Sequence, residues 1–296
     1  MIDTHQLSPG SSLVLPARTA SAGDALSVII GGGRGCSLRI EWPVAGLWVP
    51  LRGRLQISSS NGDSALLAGE MRVTEPEARL HAVGRGNAVW IALLGSRPAW
   101  RNALSGLGEM PLSEPILLPT WHAADRPLRS RIIELARAAS RGMAEPVLHA
   151  VIESVFALQN ELAAAIDRCP GRTYAQRRQV FLRLQRVRNY LTANCHLELD
   201  NDALARMASY SPWHFIRAFR AAYQQTPHAF LVDQRLHRAR RLLRTSPLAI
   251  AEIALASGFE NRCAFSRLFR QRFGVTAGAM RRMTCDPAAL PLRCSA

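Results

Sequence analysis

Residues 211–220 read SPWHFIRAFR and residues 261–270 read NRCAFSRLFR. Within them, FIRAFR at Phe215–Arg220 returns as FSRLFR at Phe265–Arg270, 50 positions later. The likeness extends on both sides. Leu204-Ala205 matches Ile253-Ala254 and Tyr210 matches Phe259, each at an offset of 49. Tyr223 matches Phe273, Thr226 matches Thr276, and Ala229-Phe230 matches Ala279-Met280, each at 50. A pattern carried at a fixed period marks a duplicated structural unit.

Each unit reads as helix, tight turn, helix. In the first, Asp200 is placed to cap a helix bearing Leu204, Ala205 and Met207, and a turn follows at Ser209–Ser211. Ser211 then caps a second helix, with Pro212 at its first position and Phe215 and Phe219 facing a core. In the second unit Gly258 suits a left-handed helix end, and Asn261 caps the helix bearing Phe265 and Phe269. Residues 227–244 read as one helix joining the units.

The charge agrees with this division. The chain has 296 residues, 37 basic and 22 acidic, and every basic residue is arginine. The lack of lysine fits codon use in a GC-rich genome; the excess of positive charge does not follow from it. Residues 1–168 hold 16 arginines and 15 acids, a net +1, whereas residues 169–296 hold 21 and 7, a net +14. The division lies at CPGRT (Cys169–Thr173), whose adjacent proline and glycine suit a linker. A positive field confined to one region points to a nucleic acid, and guanidinium groups suit phosphate because they are planar, permanently charged and bidentate.

The neutral region changes period partway. ALSVII (25–30), CSLRIEW (36–42), GLWVPL (46–51), RLQIS (54–58), ARLHAV (78–83) and NAVWIALL (87–94) read as short strands. GGGRG (31–35) and EPE (75–77) read as the breaks between them, GGGRG as a hairpin turn, and Asn61-Gly62 is a hairpin signal. Residues 127–168 take up a helical period. Ile132, Ile133, Leu135, Ala136 and Ala139, then Leu148, Val151, Ile152, Val155, Phe156, Leu162 and Ile166, form a stripe that covers the strand domain, makes a dimer interface, or does both.

Other classes find little support. No run of 18 apolar residues spans a membrane, and MIDTHQLSPG is not a basic-then-apolar signal, so a cytoplasmic chain with reduced thiols is expected. The six cysteines form no CxxC, His81 stands apart from any HxH pair, and no GxSxG or HExxH occurs. No metal, no cofactor and no enzymatic activity are therefore expected.

The chemistry lies on the helix faces opposite the phenylalanines. The first unit offers Trp213, His214, Ile216, Arg217 and Arg220; the second offers Arg262, Cys263, Ser266, Arg267 and Arg270. Residues near the start of such a helix reach base edges in the major groove, whereas Arg220 and Arg270, further along, suit phosphates. Ser211, His214 and Asn261, at the helix starts, are further phosphate candidates. Arg217 and Arg267 recur at one register of the repeat.

LARMASYSPWHFIRAFRAAYQQTPHAFLVDQRLHRARRLL (204–243), followed by IAEIALASGFENRCAFSRLFRQRFG (250–274), resembles the DNA-binding domain of AraC/XylS-type transcriptional regulators. The resemblance covers about Val180–Met283. It implies that each second helix enters a major groove, with Trp213, Ile216 and Arg217, then Arg262, Cys263, Ser266 and Arg267, in the base-reading slots. Four positions depart from the family pattern. Ser209 stands where glycine is common, Gln225 interrupts the usual turn, TAGAM (276–280) lacks a proline and tyrosine, and Ala249 fills a capping slot.

The expected architecture is an α+β multidomain chain. It comprises a strand domain (1–126) and a helical segment (127–168), which the resemblance implies are a cupin-like β-barrel or sandwich effector domain and a dimerisation segment, then a linker (169–179), an all-α tandem helix-turn-helix DNA-binding domain (180–285) and a tail (286–296). The expected function is a bacterial sequence-specific transcriptional regulator, an activator rather than a repressor, found with the nucleoid when bound. Its expected partners are double-stranded DNA, a small-molecule effector, RNA polymerase and a second copy of the chain, with no membrane. The sequence assigns no effector-binding residue. The alternatives are an architectural DNA-binding protein and a cupin enzyme fused to a DNA-binding tail.

Overall fold

A computed structural model of the chain describes residues 2–15, 25–59, 62–77, 79–105 and 117–285. Asn61 of the hairpin signal and the tail 286–296 lie outside the described residues. The chain divides into two compact units, Met1–Asn189 and Tyr190–Ala296.

The first unit is a nine-stranded sheet with helices. Its strands are β1 (Ile2–Leu7), β2 (Ser12–Leu15), β3 (Leu26–Gly32), β4 (Ser37–Ile40), β5 (Val44–Ser59), β6 (Gly62–Leu67), β7 (Glu70–Glu77), β8 (Leu80–Gly95) and β9 (Thr120–Ala123). Two of them, β5 and β8, are 16 residues long and run antiparallel to each other. The first part of β5 and the last part of β8 lie in the order β1-β3-β8-β5-β7-β9. The remaining parts lie between β4 and β6, with β2 outside β4. The two strands therefore belong to both halves of a sheet folded over on itself.

The fold line is visible as register shifts between Pro50 and Arg54. Such bulges bend a strand and raise its twist. Gly53 sits there at φ +73°, where a Cβ would come within 2.9 Å of Ala88 Cα. This corrects the reading of GLWVPL and RLQIS as separate strands, and of ARLHAV and NAVWIALL likewise: the glycine marks a bulge inside a strand. GGGRG is not a hairpin turn either. The strands on its two sides, β3 and β4, pair with different stretches of β8, so the glycines step the chain from one half of the sheet to the other.

Alternation along the long strands makes two cores. Trp90, Ala92 and Leu94 of β8 join Trp48, Leu38, Ile40, Leu55, Ile57 and Leu66 in the interior of the folded sheet. Their neighbours Ile91 and Leu93, with Ala45, Leu47 and Val49 of β5, face the other way. That face is covered by α1 (Arg97–Ser105), α2 (Arg126–Ala139) and α3 (Glu145–Asp167). Burial on both faces explains why these strands read as unbroken apolar runs. The stripe Ile132, Leu135, Ala139, Leu148, Val151, Ile152, Val155 and Phe156 is buried against this sheet, within the chain. These residues thus cover the strand domain.

The division between the units falls inside α4 (Tyr174–Asn194). The stretch expected as a linker thus contains a helix start. Gln176 Oε1 accepts from Thr173 N–H at 3.3 Å while Gln176 N–H donates to Thr173 Oγ1 at 3.2 Å. This reciprocal box nucleates the helix directly after the glycine.

The second unit is α5 (Asn201–Met207), α6 (Pro212–Tyr223), α7 (Pro227–Thr245), α8 (Ile250–Ala256), α9 (Arg262–Phe273) and α10 (Ala277–Cys285). The repeat is visible in three dimensions. Phe215 and Phe219, like Phe265 and Phe269, are fully buried, with ring centroids 5.7 and 5.4 Å apart. Thr226 caps α7 by accepting from Ala229 N–H, and Thr276 caps α10 by accepting from Ala279 N–H, both at 3.2 Å. Asp200 caps α5 as expected. Ala249 has no capping atom of its own, and Glu252 Oε2 accepts from its N–H at 2.7 Å instead.

The copies differ at two strained positions. Ser209 (φ 58°) and Gln224 (φ 57°) are left-handed in the first unit, where the second has Gly258 (φ +90°) and Gly274 (φ +74°). A side chain costs roughly 1–2 kcal/mol in that conformation, and glycine returns about 0.4–1 of it by loosening the unfolded chain. Ser209→Gly is thus expected to stabilise the unit by about 0.5–1 kcal/mol in urea unfolding. Gly258→Ala has the opposite sign and costs about 2 kcal/mol or more, because its Cβ meets Cys195 O at 3.0 Å and Arg235 Nε at 2.8 Å. Equal and opposite shifts, or none, would contradict the assignment of strain.

Candidate nucleic-acid interface

α6 and α9 have the same construction. Each has an extended residue at its N-cap, two buried phenylalanines four residues apart and a left-handed residue at its end. Amphipathic spacing then leaves the opposite face in water. All twelve residues selected from the sequence are exposed: Ser211, Trp213, His214, Ile216, Arg217 and Arg220 about α6, and Asn261, Arg262, Cys263, Ser266, Arg267 and Arg270 about α9.

The start of α6 is a linked cluster. Ser211 holds the N-cap position, with its carbonyl accepting from Phe215 N–H at 2.8 Å. Its side chain does not cap the helix, contrary to expectation. Ser211 Oγ lies 2.7 Å from His214 Nδ1 instead. The His214 ring meets Trp213 edge-on at 5.0 Å, and the Arg217 guanidinium carbon lies 5.3 Å from the centre of the indole. Trp213 is 62% exposed, so this cation–π contact shapes the surface rather than the core. At α9 the expected cap is made: Asn261 Oδ1 accepts from Cys263 N–H at 2.8 Å and Ala264 N–H at 3.0 Å.

The arginines of the second unit fall into two groups. Some are braces. Arg235 donates to Cys195 O at 2.8 Å and Leu197 O at 3.0 Å, and Arg238 donates to Ala256 O at 2.9 Å. Arg281 donates to Leu248 O at 2.6 Å, and Arg272 pairs with Asp233 at 2.6 Å. Those on the outer faces of α6 and α9 are presented outward. Among the described residues no carboxylate pairs with Arg217, Arg220, Arg262, Arg267 or Arg270. Their donors face solvent and are free for phosphate oxygens or base acceptors.

Ser266, Arg267 and Arg270 line a shallow open hollow together with Gln271 and Thr276. The last two are not among the residues that the sequence singles out. The recurrence of Thr226 as Thr276 is the available signal, and in the sequence it marks the repeat alone.

Two histidines of this unit titrate low. Burial holds His237 below its ordinary value; Asp233 opposes this, and Arg240, Arg272 and Arg241 add to it. Burial and Arg238 lower His196. The folded unit thus prefers both imidazoles neutral, and the unfolded chain binds the protons first as pH falls below about 6.5. Stability is full above that value and is lost below it. The urea midpoint of the second unit is expected to be lower at pH 5.5 than at pH 7.5, and His196→Gln with His237→Gln to narrow the gap. An unchanged or higher midpoint at pH 5.5 would refute this.

Cys169 and Cys195 are held as thiols. Burial pushes Cys169 up to about 11 and raises Cys195. No helix among the described residues is long and apolar enough to cross a membrane.

Comparison with known proteins places this geometry in a family. A helix-turn-helix domain family matches residues 204–283, from α5 to α10. The HTH-type transcriptional regulator GlxA of Rhizobium meliloti is 45% identical over 87 residues, 28% of this chain and 26% of that protein. The regulatory protein SoxS of Salmonella typhimurium is 31% identical over 93 residues, 31% of this chain and 87% of SoxS. SoxS of Escherichia coli is 36% identical over 78 residues, 26% of this chain and 73% of that protein. The similarity to the longer regulators is confined to this part, covering 22% of CdhR of Pseudomonas aeruginosa, for example. The duplicated helix-turn-helix unit and its relatives identify the chain as a member of the AraC/XylS-type family of DNA-binding transcriptional regulators.

Proposed function

We propose that the chain regulates transcription by binding discrete double-stranded DNA sites through α6 and α9, in answer to a small molecule held by the sheet unit. The observation that carries this is the pair of outward faces 50 residues apart, each with an arginine at the same register and its phenylalanines buried beneath. Trp213, Ile216, Arg217, Arg262, Cys263, Ser266 and Arg267 take the base edges. Ser211, His214, Arg220, Asn261 and Arg270 take phosphates.

The domain plan of this proposal is an effector domain at 1–126, a helical segment at 127–168, a junction at 169–179 and a DNA-binding domain at 180–285. The sheet folded about two long bent strands supports a cupin-like reading of the first part. The net charge of +1 over residues 1–168 supports a task other than binding DNA. A homodimer, contact with RNA polymerase and activation rather than repression are carried over from the family resemblance. A dimer would use a surface other than the α2–α3 stripe, which the sheet already covers.

The test is selection of DNA from a random pool by the full chain, followed by footprinting. The expected result is a discrete site of two elements about one helical turn apart. Binding without any discrete site would leave an architectural protein. A reporter placed beside the selected site then decides between activation and repression.

A further inference from the structure

The positive charge of the chain is densest ahead of the helix-turn-helix match, which begins at residue 204. Residues 169–189 hold six arginines and no acid, a net +6 in 21 residues. Residues 190–296 hold 15 arginines and seven acids, a net +8 in 107. Five of the six arginines lie on α4, which has no acidic residue of its own. Codon use can choose arginine over lysine, but it does not remove acids.

These arginines stand against two preferences of a helix. Arg172, Arg177 and Arg178 lie about the first turn, where the macrodipole favours anions. Arg183 and Arg186, three residues apart, repel each other. Arg177 has a partner in Asp167 at 3.6 Å, but among the described residues no carboxylate pairs with Arg178 or Arg183. Phe181, Leu184, Val187 and Leu191 take the buried face of α4. Arg178, Arg183 and Arg186 lie off that stripe, Arg186 exposed and the other two half-buried. A helix charged at the expense of its own stability suits an anion from outside the chain.

What α4 joins says which anion. The helix runs on past Asn189 into the second unit, where Arg235 of α7 donates to Cys195 O and Leu197 O just beyond its end. At about 1.5 Å per residue, Arg186, Arg183 and Arg178 stand roughly 13 to 25 Å back along the axis from Cys195. A duplex held by that unit continues beyond its site as an unbroken line of phosphates. A membrane surface would need an apolar face beside the basic one, and α4 has buried its own.

Resting on the DNA-binding reading above, we infer that α4 is a further DNA-binding surface, separate from α6 and α9. Arg178, Arg183 and Arg186 take phosphates of the duplex flanking the two-element site, whatever its sequence. They add affinity and length of footprint, and no specificity.

The experiment uses the full chain and the DNA fragment it enriches from a random pool. One form is trimmed to the two elements, and the other carries one further helical turn (~10 base pairs) of arbitrary sequence on each side. Affinity is measured across a salt series. The parent is expected to bind the longer form with a log–log salt slope steeper by about 2–3 than for the trimmed form. Arg178→Ala, Arg183→Ala and Arg186→Ala together remove that difference and leave binding of the trimmed form unchanged. The corresponding triple change to lysine keeps it. Neutral methylphosphonates in one flank weaken the parent and leave the alanine variant unaffected. The methylphosphonate and lysine measurements decide the matter even where the alanine variant has a lowered melting temperature. Equal slopes for the parent on both forms, or a difference that survives in a folded alanine variant, overturn this inference alone. So does an alanine variant that binds both forms as the parent does but fails to regulate a reporter, which would give α4 an acidic protein as its partner. Failure to enrich any fragment overturns the DNA-binding reading and this inference with it.

Discussion

Replacing Phe269 with alanine is expected to cost the second unit about 3–5 kcal/mol. The ring is fully buried among Leu236, Ala239 and Leu243 of α7 and Ile253 of α8. It lies 5.4 Å from Phe265 and 4.7 Å from Phe273. Removing it opens a cavity where three helices meet, and a chain of aromatic rings loses its middle member. Domains are commonly stable by only ~5–15 kcal/mol, so much of the margin disappears. Urea unfolding followed by circular dichroism at 222 nm measures the loss. Arg267→Ala, on the exposed face of the same helix, should stay within about 0.5 kcal/mol and serves as control. A loss below about 1 kcal/mol at Phe269 would show that the helix does not seat as described.

The second large effect is on recognition. Arg217→Ala with Arg267→Ala is expected to remove roughly 1–3 kcal/mol of discrimination at each helix. Together they lower the preference for the selected site over random DNA at least ~30-fold. Their exposed donors have no carboxylate partner among the described residues, so the losses should add, the helices being separate. Affinity for random DNA should hardly change, because Arg220 and Arg270, assigned to phosphates, remain. Binding of both DNAs is measured across a salt series. An equal loss on both would assign the two arginines to phosphate, and the protein to architecture rather than regulation.

The duplicated unit is legible in the sequence because each of its signals is local. Two phenylalanines four apart, a capping Asp200 or Asn261, and a glycine at Gly258 each act within a turn or two of helix. Where two side chains compete for one role, the sequence is silent: Ser211 has the chemistry of a cap, but His214 stands within its reach. The bent strands are hidden for a related reason. Arg52-Gly53-Arg54 has the composition of a turn, and only the partner strand at Ala88 shows that it is a bulge. Charge tells least of all. Arg235 and Arg267 are the same residue in a sequence, but one is bonded to carbonyls and the other faces solvent. The helix start at Thr173–Gln176 is within reach of sequence reasoning, since threonine and glutamine stand at the spacing of a capping box. The adjacent proline and glycine are the louder signal, and they point to a linker.

Because β5 and β8 each run through both halves of the folded sheet, the halves share a backbone and cannot melt apart. The first unit should unfold as a single cooperative block, even though it has two cores. A small molecule bound against either core would therefore raise the melting temperature of the entire sheet. A thermal-shift survey of metabolites would therefore detect a small molecule bound anywhere on the sheet.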